Sequence, residues 1–475
     1  EERARTLLAV IGLQAESVKA SFFSSSIVFT KVNGNIPLGF MDLYYSLDIE
    51  NVTASGLNLL SGQQKGVSTL ADSLVFNNFS FSSPFLDSTG VNGAIKKIAM
   101  SGIQLDLRAF LDSLKSLQSE NPQSTAELLN IVEKTFRVER VAYEDYTVTM
   151  DTPLGAFVGH VDAAEVKDMK LLRCGPMSMD NMTVRAMETE ILSLSRVETT
   201  KMSIPNFLAL FSGNSLPDNL SKEDVLKMLK ETPFVLEGFR MRSMKVRPPY
   251  GEPLSMEGLS LDISLAAAAA GLNLTVDGLS LPPMGELGLL LSLVGLEDKE
   301  TLLLFGNMQG ALKFEEGGAG LALSGAVEEK SLGGIAWNGD FSLGKGADIL
   351  EVLDRMDLKA HSLVMSVTDY GLMQHSADFI FQTSQKNGDL SEDIKSPEDV
   401  LMLMAKELEK QLKQFPFGKA ASDLASTLEA FARESGSLVF SLRAEPPLDM
   451  KNLDFDDPGL LSGKGVIFTL EHKKP

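Results

Sequence analysis

One short phrase, glycine–apolar–polar–apolar with alanine once in the polar place, returns six times in this chain: Gly56-Leu57-Asn58-Leu59, Gly102-Ile103-Gln104-Leu105, Gly258-Leu259-Ser260-Leu261, Gly271-Leu272-Asn273-Leu274, Gly278-Leu279-Ser280-Leu281 and Gly320-Leu321-Ala322-Leu323. A period of two places one set of side chains on a single face of a sheet, so each copy reads as the opening of a half-buried strand. A glycine ahead of the strand permits a turn backbone that residues with a Cβ resist. Strands joined in this way predict a long meandering sheet whose apolar face has to be covered, by protein or by lipid.

At 475 residues the chain exceeds one ordinary core, and its length predicts roughly two to four domains. Hydrophobic residues make up 44%, enough for cores, but their kind is unusual: 26 Phe and 21 Met against one Trp, Trp337, and 6 Tyr. Phe and Met offer adaptable apolar surface without a polar handle, which weakens a sugar-binding reading. The 43 basic and 64 acidic residues leave a net charge of −21. Such a chain repels phosphate backbones, which argues against nucleic-acid binding and against general adhesion to anionic membranes, though not against one local basic patch. The single cysteine, Cys174, excludes an intrachain disulfide framework and a cysteine-cluster metal site. No run of about 18 apolar residues occurs; the densest stretch, 284–296, is shorter and contains Glu286. The sequence begins at Glu1 without an initiator Met, so an export signal or amino-terminal anchor upstream is the expectation.

Along the chain, Met41, Leu43, Tyr45, Leu47 and Ile49 alternate with polar residues as the clearest strand, and Val75, Asn77 and Phe79 continue more weakly. Helices are predicted over 108–119 and from the capping-box spacing Ser124–Glu127, with Leu128, Leu129, Val132 and Phe136 as a stripe. Tyr146, Val148 and Met150 return to alternation, and 166–204 reads as a meander of short strands. Helices follow over 205–213 and 221–231, then a strand block over 239–281 interrupted by the alanines at 266–270, which read as a bend or small-residue contact. Leu312/Phe314 and Leu321/Leu323 flank a hairpin signal that Ile335, Trp337, Phe341 and Leu343 extend. Leu363, Met365 and Val367 form a further strand. Ser396-Pro397-Glu398-Asp399 then caps a helix with Val400, Leu401, Met404, Leu408 and Leu412 as its stripe, and 421–433 is another helix. Leu438/Phe440/Leu442 and Val466/Phe468/Leu470 close the sheet. Soft boundaries near 160, 235 and 345 divide the chain into 1–160, 161–235, 236–345 and 346–475. The fold class is β-dominated α+β: a long twisted antiparallel sheet, taco- or groove-like, with helical insertions.

Catalytic signatures are missing from the sequence. His160, His361, His375 and His472 belong to no zinc-binding or triad pattern, and neither a nucleophile elbow nor a phosphate loop occurs. Paired acids such as Glu315/Glu316, Glu328/Glu329 and Asp456/Asp457 read as solvated loops. No metal and no cofactor is expected, and the chain reads as a non-enzyme. Two groups remain. Arg240, Arg242, Lys245 and Arg247 concentrate four cations within eight residues, either paired with surrounding acids or docking a lipid headgroup or other anion. On a regular strand the first two and the last two face opposite sides, so a continuous basic strip requires a bulge. Leu259, Leu261, Ile263, Leu265, Leu272, Leu274 and Val276 are either core under the chain's own helices or the wall of an open groove for acyl chains. An apolar wall suits such chains because a buried polar group without a partner costs about 1–3 kcal/mol.

The six glycine phrases with their Asp, Asn and Ser turns resemble the large periplasmic proteins of the AsmA-like group, as does the run of residues 363–372 followed by helices and Gly436-Ser437-Leu438. The likeness is one of texture over about half the chain, and it carries no functional residue across. It implies a sheet that bridges membranes and carries lipid, behind an amino-terminal membrane helix. The expectation is therefore a periplasmic or otherwise exported protein of a bacterial envelope that binds lipid or another apolar ligand along a curved sheet. Membrane contact would come only through the unseen amino-terminal segment. The alternative is a structural or protein-interaction module with a closed core, whose partners are envelope proteins.

Overall fold

In a computed structural model the chain is a β-dominated α+β protein whose paired strands run antiparallel. The structure describes residues 1–10, 12–21, 23–38, 43–58, 68–85, 89–106, 132–152, 155–205, 221–248, 251–282, 288, 291–292, 295–296, 301–315, 318–344, 357–388, 393–414, 423–450 and 465–474. The helix expected over 108–119, that over 205–213 beyond residue 205, and the first part of the capping-box helix fall outside these residues. The chain divides into two compact units, Glu1–Pro253 with Ser264–Ala266, and Leu254–Ile263 with Ala267–Pro475. Residue 160 lies inside one strand of the first unit and residue 235 inside another.

The first unit opens with helix α1 (Glu2–Val10) and continues as β1 (Leu13–Ser21), β2 (Ser26–Leu38), β3 (Leu43–Ser55), β4 (Ser68–Phe85), β5 (Thr89–Leu105), β6 (Phe136–Thr152) and β7 (Gly155–Met169). Then come β8 (Arg173–Cys174), β9 (Met177–Ala186), β10 (Thr189–Thr199), β11 (Lys201–Ser203), helix α2 (Lys222–Glu231) and β12 (Phe234–Val246). Each strand from β1 to β7 pairs with the next; β7 then pairs with β9, β9 with β10 and β10 with β12, while short β8 and β11 pair with each other. Phe136, expected on a helical stripe, instead opens β6, and 132–135 directly before it are helical. In α2 the expected cap is present, with the Asp224 amide donating to Ser221 Oγ at 3.1 Å.

One sheet face of this unit is apolar from strand to strand, but not with a simple period of two. On β4 the apolar residues are Leu74, Phe76, Phe79 and Phe81; on β6 they are Val141, Tyr143, Tyr146 and Val148; on β9 they are Met177, Met179, Met182 and Val184. The spacing is two, three, two on each. A step of three in a pleated strand would throw the next side chain to the wrong face, so one residue has to leave the pleat. On alternate strands that residue has positive φ: Lys31 (49°), Asn78 (50°), Asp145 (55°), Asn181 (51°) and Ser243 (51°). The strand register aligns them in one line with Glu16, Glu50, Lys96, Asp162 and Ser195 on the strands between. Asn and Asp accept this left-handed conformation more readily than other residues with a Cβ. Polar partners join neighbours along the line: Lys31 to Glu16 at 2.7 Å, Asn78 to Glu50, Asn181 to Asp162 at 2.7 Å and His160 to Asp162 at 3.0 Å. On the apolar side, Val32, Val138 and Val141 are fully enclosed, and Ile49, Val52, Ile95 and Ile98 are buried.

Three of the six phrase glycines also adopt positive φ, Gly56 (62°), Gly102 (61°) and Gly278 (58°). They do not mark turns ahead of strands. Gly102 lies within β5 and Gly56 directly follows β3. Each sits where a side chain of a neighbouring strand lies over it, Asp72 over Gly56, Glu139 over Gly102 and Glu257 over Gly278.

The second unit contains β13 (Leu254–Ala266) up to Ile263, β14 (Ala269–Leu281), β15 (Leu302–Glu315), β16 (Gly318–Glu329), β17 (Gly333–Leu343) and β18 (Leu358–Asp369). Helices α3 (Leu372–Asn387), α4 (Pro397–Leu412) and α5 (Leu424–Glu434) precede β19 (Gly436–Asp449) and β20 (Val466–Lys473). From β14 to β20 each strand pairs with the next. The alanine run becomes a tight turn at Ala267–Ala268, and across it Asn273 Nδ2 donates to Asp262 at 3.5 Å while Gly278 lies against Glu257. Helix α4 has the expected capping box: the Asp399 amide donates to Ser396 Oγ at 3.4 Å and the Ser396 amide to Asp399 Oδ2 at 2.9 Å. Ala405, Leu424, Leu428 and Phe431 of α4 and α5 form a buried cluster with Leu438 of β19, with Phe440 and Leu470 packed on it. Helix α3, ahead of the predicted helical start at Ser396, was not legible from its caps: Gly371 precedes it without a side-chain cap.

Gly102→Ala forces a Cβ into a left-handed position and is expected to cost about 1–2 kcal/mol, whereas Gly90→Ala, with open space around it, should stay within about 0.5 kcal/mol. Urea midpoints at unchanged slope check both.

Candidate functional site

The second unit presents a face that can be read row by row across its strands. Leu272 of β14 opposes Gly310, which opposes Leu323, Gly339, Leu363, Leu442 and Phe468 in turn. The next row runs Leu274, Met308, Gly325, Trp337, Met365, Phe440 and Leu470, and the next begins Val276, Gly306, Val327, Ile335 and Val367. Every residue of these rows is apolar or glycine up to His472, which follows Leu438 at the β20 end of the third row. The intervening positions on the opposite face are mostly polar, among them Asn307, Gln309, Ser324, Asn338, Asp340 and Ser366, with Ala326, Ala336 and the exposed Val364 between them.

Glycine in these rows is filled by its neighbours. The Trp337 ring lies over Gly325, Phe341 comes within 2.6 Å of where a Cβ on Gly339 would be, and Leu323 within 3.2 Å at Gly310. Side chains therefore lie along the sheet rather than standing up from it. At the β19–β20 end of the face α5 covers Leu438, Phe440 and Leu470. Across β15–β18 the face is open among the described residues: Met308 is 36% exposed, Leu323 37%, Val327 44%, Ile335 48% and Met365 39%.

The residues expected to line an apolar wall lie beside this patch. Leu259, Leu261 and Ile263 on β13, and Leu272, Leu274 and Val276 on β14, are all half-buried; Leu265, also half-buried, is grouped with the first unit. The three from β14 meet Gly310, Met308 and Gly306 of β15. The more exposed residues on β15–β18 were not singled out from sequence. Their signal is the glycine on the same face as the large residues, two positions away, in Gly306-Asn307-Met308-Gln309-Gly310 and Leu323-Ser324-Gly325-Ala326-Val327.

The basic group lies in the first unit. Positive φ at Ser243 changes the facing of β12, so that Arg240, Arg242, Lys245 and Arg247 are all exposed while Met241, Met244 and Val246 are half-buried. Among the described residues only Arg242 of the four forms an ion pair, with Glu198 at 3.1 Å. Glu198 also accepts from Arg196 Nε at 2.9 Å, and Glu165 takes Arg140 at 3.0 Å and Lys167 at 3.3 Å. The hydrogen bond from Arg196, with the Arg242 charge behind it, holds the Glu198 carboxyl below its ordinary value; that from Arg140 does the same to Glu165. Both stay ionised at neutral pH.

The histidines are structural in their contacts. His361 meets Ser342 Oγ at 2.8 Å, His375 meets the Gly295 carbonyl at 3.0 Å and His472 the Ser435 carbonyl at 2.6 Å, so His361 and His375 do not come together. His160 bridges Thr147 and Asp162, each at 3.0 Å. Cys174 is buried, and desolvation pushes its thiol up, away from the reactive thiolate. Among the described residues no three His, Cys, Asp or Glu converge to hold a metal, and no helix is long and apolar enough to cross a membrane.

Comparison with protein-family models and with curated proteins found no match to this chain.

A carboxylate whose folded pKa is depressed adds stability above its unfolded pKa and loses it as pH falls through the folded value. Glu198→Gln is thus expected to lower stability at neutral pH and to remove part of the loss that the wild type shows below about pH 4.3, the ordinary Glu value. Urea midpoints between neutral pH and the acid limb read the difference.

Proposed function

We propose that the protein holds lipid or another apolar ligand along the open apolar face of β15–β18, as a carrier or platform without chemistry of its own, in a bacterial cell envelope. The observation that supports this is the run of five exposed large side chains, Met308, Leu323, Val327, Ile335 and Met365, on one face of four adjacent strands. Strands about 4.8 Å apart give such a patch a reach of roughly 15 Å. A contiguous exposed apolar patch of this kind is costly to leave wet and is the usual mark of a partner or ligand. Each methylene group fully buried against it contributes about 0.8 kcal/mol. Side chains lying over glycines make the face low in relief, which suits a flexible chain better than a shaped, hydrogen-bonded substrate. The envelope setting rests on the resemblance of the strand texture to the AsmA-like group.

Native mass spectrometry with organic extraction of the purified protein tests the reading. A stoichiometric lipid is expected, and the double variant Val327→Asp/Ile335→Asp should fold while carrying less than about a third of the wild-type load, since both side chains are already exposed. Ser324→Asp, on the opposite face of β16, should leave the load unchanged. A clean apo mass that persists after incubation with mixed phospholipid vesicles would overturn the proposal and favour a protein-interaction module. Leu261→Ser and Leu274→Ser separate wall from core: loss of ligand with folding retained places them in the wall, and unfolding places them in the core.

A further inference from the structure

We infer that the polar face of the first unit carries a separate site for a phosphate-bearing anion, built on Arg240. A cavity of about 480 Å³ opens between β7, β9, β10 and β12, within the roughly 300–1,000 Å³ of small-molecule sites. Its chemistry comes from Glu165, Lys167, Ser178, Arg196, Glu198 and Arg240. Glu165, Ser178, Glu198 and Arg240 are register partners on four successive paired strands, one row of the sheet. Their neighbours Ala164, Met179, Val197 and Met241 form the adjoining apolar row, so the cavity opens on the opposite face from the apolar side. Gly238, with φ of 63°, packs against Thr200 at the cavity margin.

The charges decide what such a cavity takes. Glu165 is held by Arg140 and Lys167, and Glu198 by Arg196 and Arg242, while Arg196 also reaches Asp180 at 3.3 Å. Those four cations are engaged. Arg240 is not: among the described residues it forms no hydrogen bond or ion pair, and it acts on Glu198 only at a distance. Among the residues that line the cavity three cations, Lys167, Arg196 and Arg240, thus meet two carboxylates, Glu165 and Glu198, a surplus of one positive charge in a chain of net charge −21. A guanidinium without a partner, in a row whose next members are Glu198 and then the Ser178 hydroxyl, offers the forked donor geometry that phosphate oxygens accept. A phosphate group, as a free phosphate ester or as a lipid headgroup, matches both the surplus charge and the donors.

Calorimetric titration of the full chain with inorganic phosphate at constant ionic strength tests the site. Saturable binding is expected, weakened about tenfold or more by Arg240→Gln, the loss of one charge-assisted contact, and changed less than about twofold by Lys245→Gln on the same exposed side of β12. Ser178→Asp, which puts a negative charge on the row, should weaken binding as well and guards against a folding defect in the first variant. Flotation with vesicles containing phosphatidic acid, against phosphatidylcholine alone, identifies the source: co-flotation lost in Arg240→Gln supports a lipid headgroup, and phosphate binding without co-flotation supports a soluble ester. Absence of saturable phosphate binding, or equal binding by Arg240→Gln, would overturn the inference. The apolar face shares none of these residues, so phosphate binding by lipid-free protein would leave this site standing if the lipid reading failed.

Discussion

Everything in the first unit depends on one geometric demand: a strand that leaves its pleat must do so without turning its apolar side chains to water. The left-handed residues Lys31, Asn78, Asp145, Asn181 and Ser243 meet it together, in register, so that no strand is out of phase with its neighbours. Each non-glycine residue in that conformation costs roughly 1 kcal/mol. The cost is offset because the alternative, a strand with half its Phe, Ile and Val residues on the solvent side, forfeits about 1.5–3 kcal/mol for every large side chain exposed. The polar partners along the line, such as Asn181 with Asp162 and Lys31 with Glu16, keep the kinks from leaving backbone and side-chain groups unsatisfied.

Much of this architecture was legible in sequence, and what was missed has a common cause. Antiparallel strands, the meander through 166–204, the cap at Ser396 and the closing strands at 438–442 and 466–470 follow from period-two alternation and cap chemistry, which are local. The kink line is not local in that sense. A spacing of two, three, two breaks the alternation template, so Leu74-to-Phe81 shows only the weak alternation Val75, Asn77 and Phe79, and Met177-to-Val184 only two short steps, where each is one strand with a kink. The same blind spot made Gly102 look like a turn residue before a strand when it lies inside one, under Glu139. Phe136 was assigned to a helix because its spacing from Val132 is helical, and the sheet claimed it.

The candidate sites divide in the same way. That Arg240, Arg242, Lys245 and Arg247 needed a bulge to share a side could be stated from spacing alone; that Ser243 supplies it could not. The apolar face was sought on β13 and β14, where the leucines are densest, whereas the open part lies on β15–β18, where glycines dilute them. Dilution lowers a hydrophobicity count and yet raises exposure, because a large side chain next to a glycine has no neighbour of equal height to shield it. Lys167 and Arg196 were invisible as site residues, since they reach the cavity near Arg240 only through the pairing of β7, β9, β10 and β12.

The alternation of left-handed residues, present on β2, β4, β6, β9 and β12 while the strands between make the same step without positive φ, also sets how such a sheet can change length. Removing one strand would bring two kinked strands side by side and set their bends against each other. Removing a hairpin keeps the order intact. The unit of growth in this architecture is therefore the strand pair, and duplication or loss of whole hairpins would lengthen or shorten the sheet while keeping its two faces distinct.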